Sequence, residues 1–566
     1  MDKILILDFG SQTTQLIGRR IRDMGVYTEI LPGDASLEGI PAAGGTCEGE
    51  GFRGIILSGS PESAYSPAGA APDRRVYDSG LPLLGICYGL QRMNFDNGGR
   101  VEPLPRREYG GVEVHIPPAE DQDGGVNPLA PRFLAGFDPS LPFAAITAGT
   151  AAADPGKSFT FTAWMSHGDT LTALAPGFRE YGRSVSGFPA VVISGGRPWF
   201  GLQFHPEVTH SERGLEILAA FVFGVCGCKP GWTMEHYIEE VRRSLQDRVG
   251  TNPALLLISG GVDSTVAGAL LLKSLDPAQV HLMYMDTGLM RKDETRSVKA
   301  GLERLGARHL HIIHCGDEFF SALKGLTEPE EKRRAVGDLF ITIQEREVAR
   351  LGLPDSCFLV QGTLYTDLIE SGKGVGKKAR LIKSHHNVGS PLVEAKRRAG
   401  LVIEPLDRLY KDEVRRLGRL LALDEGVVRR HPFPGPGLAV RILGEVTREK
   451  CDVLREADAV FIDELKKRPA PGALHGAPLS LYDDIWQAFA VLLPIRSVGV
   501  AGDVRKYGWV LALRAITSAD GMTADVYPFP PRDLLEISTL ITNTVKDIGR
   551  VTYDISSKPP ATIEWE

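Results

Sequence analysis

Short apolar runs recur along the chain, each closed by a polar or glycine-bearing turn. Residues 4–7 are all aliphatic and end in Asp8-Phe9-Gly10. That pattern predicts a buried parallel strand, followed by a helix over 15–24. Residues 54–57 predict a second strand, ending in Ser58-Gly59-Ser60-Pro61. Residues 81–86 predict a third, running into Gly85-Ile86-Cys87-Tyr88-Gly89. Strands that alternate with helices build a parallel sheet covered on both faces, with functional loops at the strands' carboxyl ends. Residues 92–98 read as weakly helical, and 41–51 and 118–158 as surface insertions.

The pattern restarts after Lys229-Pro230-Gly231, which reads as a linker. A helix is expected over 234–249, a strand over 254–258, a helix over 265–275 and a strand over 281–285. Residues 372–389 are dense in Gly, Lys, Ser and His and read as a mobile active-site loop. Past about residue 440 the text changes again. Helical patterns over 449–467 and 483–493 alternate with strand-like runs at 497–500 and 509–515, with an insertion near 468–480. The expected class is α/β: two successive parallel-sheet α/β domains and a small α+β C-terminal domain.

Length and charge narrow the function. A chain of 566 residues exceeds what one core organises, so two to four domains are expected. The formal charge of −7 argues against a dedicated nucleic-acid binder. Seven scattered cysteines suit reduced thiols and a cytoplasmic setting rather than a disulfide framework. The opening MDKILILDFGSQ has no apolar leader, and no apolar run reaches a membrane span.

Two segments carry chemistry. Cys87, between Gly85 and Gly89 after an apolar strand, has the form of a nucleophile elbow with sulfur in place of oxygen. The helix that follows would favour thiolate. A thiolate nucleophile needs a base and an orienting group. Gln203-Phe204-His205-Pro206-Glu207 offers both, and on a strand His205 and Glu207 would share a face. Cys87, His205 and Glu207 are therefore the candidate catalytic residues. About residues 1–225 resemble the class I (triad) glutamine amidotransferases. The resemblance implies a glutamyl thioester on Cys87, an oxyanion hole from Gly59 and the Tyr88 backbone, and glutamine held by Gln91, Ser166 and His167.

The second segment, Ser259-Gly260-Gly261-Val262-Asp263-Ser264, joins a strand to a helix. Glycines there let backbone N–H groups approach phosphate. The Gly-Lys-Ser/Thr ending of a Walker loop is missing. The segment resembles the N-type ATP pyrophosphatases, which implies that Ser259 to Ser264 hold pyrophosphate and that Asp263 helps bind Mg²⁺.

Longer segments extend the resemblance over the whole chain. They are HPFPGPGLA at 431–439, KSHHNVG at 383–389, QGTLY at 361–365, DISSKPP at 554–560 and the closing EWE. Together they resemble the family of glutamine-hydrolysing GMP synthetases. The implied division is an amidotransferase domain (1–226), an ATP pyrophosphatase domain (230–440) and a dimerisation domain (441–566) that completes an XMP site. The resemblance implies XMP, ATP and glutamine as substrates, a homodimer, and an adenyl-XMP intermediate with AMP, PPi and glutamate as by-products. Carried over by position, Asp286, Gly288 and Lys383 would contact ATP, and Arg333, Lys558 and Glu564 would contact XMP. Two other readings stand beside it. One is a tRNA-modifying pyrophosphatase fused to an amidotransferase, using Cys315 and Cys357. The other is a non-enzymatic nucleotide- or partner-binding relative.

Overall fold

Strand β1 (Asp2–Asp8) buries residues 4–7 completely, with no alternation of inside and outside. Such a strand must be covered on both faces. It pairs in parallel with β2 (Tyr27–Pro32) on one side and β3 (Gly51–Leu57) on the other. The helix Thr14–Asp23 packs through Ile17, Gly18 and Ile21, at helical spacing, and carries Arg20 and Arg22 in its last turn, where cations suit the helix dipole. The structure, a computed structural model, describes residues 1–38, 51–118, 127–370, 391–470, 479–501, 504–518 and 524–566.

The remaining strands of the first sheet are β4 (Leu83–Ile86), β5 (Arg100–Ile116), β6 (Phe159–Ala173), β7 (Phe178–Ser184), β8 (Pro189–Ser194) and β9 (Trp199–Leu202). Their order is β2-β1-β3-β4-β9-β8-β7-β5-β6. The stretch from β2 to β9 is parallel, and from β9 onward every pairing is antiparallel. The sheet is thus mixed rather than wholly parallel. Along β6 buried and exposed positions alternate, the mark of a strand with one wet face.

The chain divides into two compact units, one holding Met1–Tyr237 and the other Ile238–Asp367 with the described residues from 391 onward. The second unit contains a five-stranded parallel sheet of β10 (Ala254–Ile258), β11 (Val280–Asp286), β12 (His309–His314), β13 (Phe358–Val360) and β14 (Val402–Ile403), in the order β12-β11-β10-β13-β14. A separate sheet joins β15 (Gln487–Ala501), β16 (Val504–Thr517), β17 (Asp525–Val526) and β18 (Ile548–Tyr553). One core serves both parts of this unit: Met285, Leu289 and Phe319 pack in the same cluster as Leu454, Phe461, Leu511 and Ile537.

Several sequence expectations are corrected. The helix expected over 483–493 is a four-residue helix, Leu481–Asp484, followed by strand β15. The run 488–493 is apolar throughout, and an unbroken apolar run has no period to separate strand from helix. Residues 127–158 are not a surface insertion. Phe133 and Phe137 there are fully buried, and the Phe133 ring lies 4.6 Å from that of Phe200. Residues 92–96 are helical, within Tyr88–Asp96, and the Arg92–Asp96 pair supports the last turn. The 229–231 linker is tied down: Gly231 and Trp232 both donate to the Gly25 carbonyl, and Lys229 N–H donates to Asp2. The 372–389 loop with Lys383, and most of the expected 41–51 and 468–480 insertions, lie outside the described residues.

Candidate active sites

Cys87 caps the amino end of the helix Tyr88–Asp96 at φ 52°, a backbone region that non-glycine residues avoid. Both flanking glycines are dictated by close approach. A Cβ on Gly89 would sit 2.2 Å from the Leu57 carbonyl oxygen, and one on Gly85 would sit 2.5 Å from the Leu90 nitrogen. The bend therefore has room for no side chain on either side of the thiol.

His205 lies in the turn after β9, not on a strand as the two-residue spacing suggested. The pairing survives: His205 Nδ1 is 2.8 Å from Glu207 Oε1, and both side chains are buried. Burial alone would lower the His205 pKa. The Glu207 charge and hydrogen bonds to Cys87 and Glu207 outweigh it and hold the imidazole well above its ordinary value. That environment favours an imidazolium beside Cys87. A Cβ on Gly59 would lie 3.3 Å from His205 Cε1, so Gly59 borders the same space. The Cys87 sulfur is 3.9 Å from the Ser166 carbonyl oxygen. Gln91 donates to the Asp169 carbonyl at 3.0 Å and meets Gln203 at 3.3 Å. His167 Nδ1 reaches the same carbonyl at 2.8 Å. Tyr88 is buried, its hydroxyl donating to the Ala70 carbonyl at 2.6 Å. The structure thus gathers Cys87, His205, Gly59, Gln91, Ser166 and His167 around one space.

Two residues there escaped sequence reasoning. Gln203 places Nε2 3.7 Å from the Cys87 sulfur. Its signal was its place in the segment that supplies His205. Glu108 pairs with His167, 3.1 Å from Nε2, and nothing in its sequence neighbourhood marks it.

In the second unit the 259–264 turn leaves β10 at its carboxyl end. Gly260 has φ +78°, which a side chain would strain. Ser259 Oγ and Ser264 Oγ are 3.1 Å apart, and Thr265 donates to the Gly261 carbonyl at 2.9 Å. The helix Val262–Ser274 follows directly, so its first N–H groups lie at the turn. Arg430 donates to the Gly260 carbonyl and pairs with Glu294. Lys411 pairs with Asp263 Oδ2, while Asp263 Oδ1 is buried without a hydrogen-bond partner among the described residues. Asp286, at the carboxyl end of neighbouring β11, accepts from Gly288 N–H at 3.1 Å and from Thr295 at 3.0 Å. Gly362 packs on the same turn, where a Cβ would lie 3.3 Å from the Ser264 nitrogen. Lys411 and Arg430 were not foreseen, because each is one basic residue among 64.

Arg333 meets the C-terminal tail, and Glu564 lies within it. Arg333 donates to the Glu566 backbone oxygen, and Glu564 takes two bonds from fully buried Arg441, at 2.9 and 3.1 Å. Fully buried Lys332 pairs with Glu566. Lys558 exchanges backbone bonds with Ala524, in both directions. Cys315 and Cys357 are buried. Burial pushes the Cys315 thiol up to about 12 and raises that of Cys357, which suits neither to nucleophilic work.

Three stretches of the chain match known families. Residues 5–225 match the glutamine amidotransferase class-I family, 234–338 the NAD synthase family, and 477–565 the GMP synthase C terminal domain family. The chain is 44% identical over 570 residues to GMP synthase [glutamine-hydrolyzing] of Xylella fastidiosa (strain 9a5c), covering 100% of this chain and 99% of that protein. It is 44% identical over 565 residues to the protein of the same name from Brucella suis, with the same coverage.

Proposed function

The chain belongs to the glutamine-hydrolysing GMP synthases, and from that membership we propose how its residues divide the work. It is an ATP-dependent ligase that builds GMP with nitrogen taken from glutamine. The account of individual residues rests most directly on the line Cys87, His205, Glu207.

In the first unit the Cys87 thiolate attacks the side-chain amide carbon of glutamine. His205, charged in the resting site, gives its proton to the departing ammonia, and a thioester remains on sulfur. His205 then takes a proton from water, whose oxygen attacks the thioester carbon and releases glutamate. Glu207 keeps the ring oriented and its charge compensated. Backbone N–H groups of Gly59 and Tyr88 receive the oxyanion, a contribution of about 3 kcal/mol per donor.

In the second unit the xanthine C2 oxygen of XMP attacks the α-phosphorus of ATP, and pyrophosphate leaves. Adenylylation turns a poor leaving group into AMP, which ammonia displaces at C2. The 259–264 amides and the Ser259 and Ser264 hydroxyls hold the pyrophosphate, with Asp286 and Gly288 beside the nucleoside. Lys383 is proposed from its place in the sequence alone. The buried, unpartnered Asp263 Oδ1 is an acceptor that suits a hard cation, so Asp263 would hold Mg²⁺ together with phosphate oxygens. When bound, the ion would neutralise charge on the leaving pyrophosphate. Arg333 and Lys558 are proposed near the XMP phosphate. Glu564, already engaged by Arg441, shapes the polar edge of that site. Val498, Val500 and Tyr507 are exposed on the β15–β16 hairpin and support a homodimer through this face. No helix among the described residues is long and apolar enough to cross a membrane. Among the described residues all six cysteines are unpaired and five are buried, which supports a cytoplasmic setting.

The test is direct. Supplied with XMP, ATP, Mg²⁺ and glutamine, the protein should form GMP together with AMP. Formation of ADP instead would contradict cleavage at the inner anhydride.

A further inference from the structure

The glutamine pocket holds a second histidine–carboxylate pair besides His205 and Glu207. Glu108 on β5 stands opposite His167 on β6 in the strand register. Their side chains are only 5% and 2% exposed. His167 Nδ1 is 2.8 Å from the Asp169 carbonyl. A carbonyl oxygen can only accept, so Nδ1 carries the hydrogen. His167 Nε2 then faces Glu108 Oε2 at 3.1 Å, and neither atom has another hydrogen-bond partner among the described residues. A lone pair held against a carboxylate oxygen at that distance, away from water, repels unless a proton lies between them. One proton shared across this gap satisfies both atoms. Glu108 Oε1 is occupied separately, accepting from Ser184 Oγ at 3.0 Å.

The pair acts on a particular stretch of backbone. His167 and Gln91 both donate to the Asp169 carbonyl, which fixes β6 at 166–169 from two directions. The Ser166 carbonyl at the head of that stretch is the one beside the Cys87 sulfur. Among the described residues the side-chain partners of Glu108 are His167 and Ser184, and the contacts among Cys87, His205 and Glu207 are made without it.

We propose that Glu108 is a positioning residue for glutamine, acting through His167 to hold the 166–169 wall where the amino-acid end of the substrate docks. This rests on the reading of Ser166 and His167 as glutamine contacts. It follows that Glu108 governs substrate affinity more than the chemical step.

The experiment uses the full chain with Glu108→Ala and Glu108→Gln, comparing glutamine-dependent with ammonia-dependent GMP formation. Loss of one buried hydrogen bond should raise the KM for glutamine about tenfold in Glu108→Ala. The kcat should stay within about threefold, and ammonia-dependent synthesis should continue. Glu108→Gln, whose amide N–H donates to Nε2, should bring KM back to within about threefold of wild type. If Glu108→Ala does not fold, Glu108→Leu reads the same KM-against-kcat split. An unchanged KM, a loss confined to kcat, or a Gln variant no better than Ala would overturn the proposal. Glutamine-dependent synthesis that survives Cys87→Ala would instead overturn the reading of the pocket itself.

Discussion

The backbone N–H of Cys87 donates to the Leu202 carbonyl at 2.7 Å. Strands β4 and β9 run parallel with Ile86 opposite Leu202, so the nucleophile and the turn bearing His205 leave the sheet at adjacent points on one edge. Residues more than a hundred positions apart in sequence are thereby brought together by register. The sharp bend at Cys87, held off the usual backbone regions, costs on the order of 1–3 kcal/mol, which the surrounding packing offsets.

That bend depends on Gly89. Its missing Cβ leaves room for the Leu57 carbonyl, and backbone on both sides cannot step away. Gly89→Ala should lower the stability of the first unit by more than about 2 kcal/mol and abolish glutaminase activity. Ammonia-dependent GMP formation should persist. Thermal unfolding and a glutaminase assay check this, and an unchanged melting temperature would count against it.

Asp263 is the one carboxylate in the pyrophosphate turn, and its Oδ1 has no hydrogen-bond partner among the described residues. Asp263→Asn should cut GMP formation about 100-fold or more with either nitrogen source. Glutaminase activity in the absence of XMP should be retained. A loss seen only with glutamine would mean that Asp263 serves the other site.

His431 carries a pH signature. Its Nε2 donates to the Tyr482 carbonyl at 2.8 Å, and its Nδ1 accepts from Ala488 N–H at 3.1 Å. Burial, foremost, lowers its pKa to about 4 from an ordinary 6.5. The folded state thus binds fewer protons than the unfolded chain between those values, and stability falls as pH drops through that window. The loss should approach about 3 kcal/mol by pH 4. In His431→Asn that part of the acid slope should vanish, measured by hydrogen exchange of the second unit at pH 7, 5.5 and 4. An identical slope in wild type and variant would contradict this.

The C-terminal tail is held by fully buried cations. Arg514 donates to the backbone carbonyls of Ser556, Thr562 and Ile563 at 2.8–2.9 Å, Arg441 holds Glu564, and Lys332 pairs with Glu566. Removing the last ten residues takes the carboxylate partners from Arg441 and Lys332, which is costly in a buried setting, while Arg514 keeps Asp554 at 2.8 Å. GMP formation from ammonia should be lost and the second unit destabilised, with glutaminase activity retained. Unchanged XMP turnover by the truncated chain would refute the role of the tail.

What was legible in the sequence was chemistry written into contiguous residues. The elbow at 85–89 and the turn at 259–264 announce themselves because glycines mark close approach between backbones, and His205 and Glu207 stand two apart. Strands over 254–258 and 281–285 were readable as apolar runs between turn signals, and the second extends one residue further at each end. The rest was hidden for identifiable reasons. Glu108 and Gln203 gain their roles only when β5 meets β6 and β4 meets β9. Arg430 and Lys411 belong to the pyrophosphate turn only through contacts about 150 or more residues away. Gln487 to Leu493 lacks a period, so strand could not be separated from helix. Phe133 and Phe137 sit in a Pro-, Gly- and Ala-rich stretch whose composition suggested surface, yet their rings fill the core of the first unit.

The central measurement compares Cys87→Ala with the wild type in GMP formation from XMP and ATP, once with glutamine and once with ammonium as the nitrogen source. The account predicts no product above background with glutamine and a wild-type rate with ammonium. GMP made from glutamine by the variant, or failure with both sources in a folded protein, would contradict it.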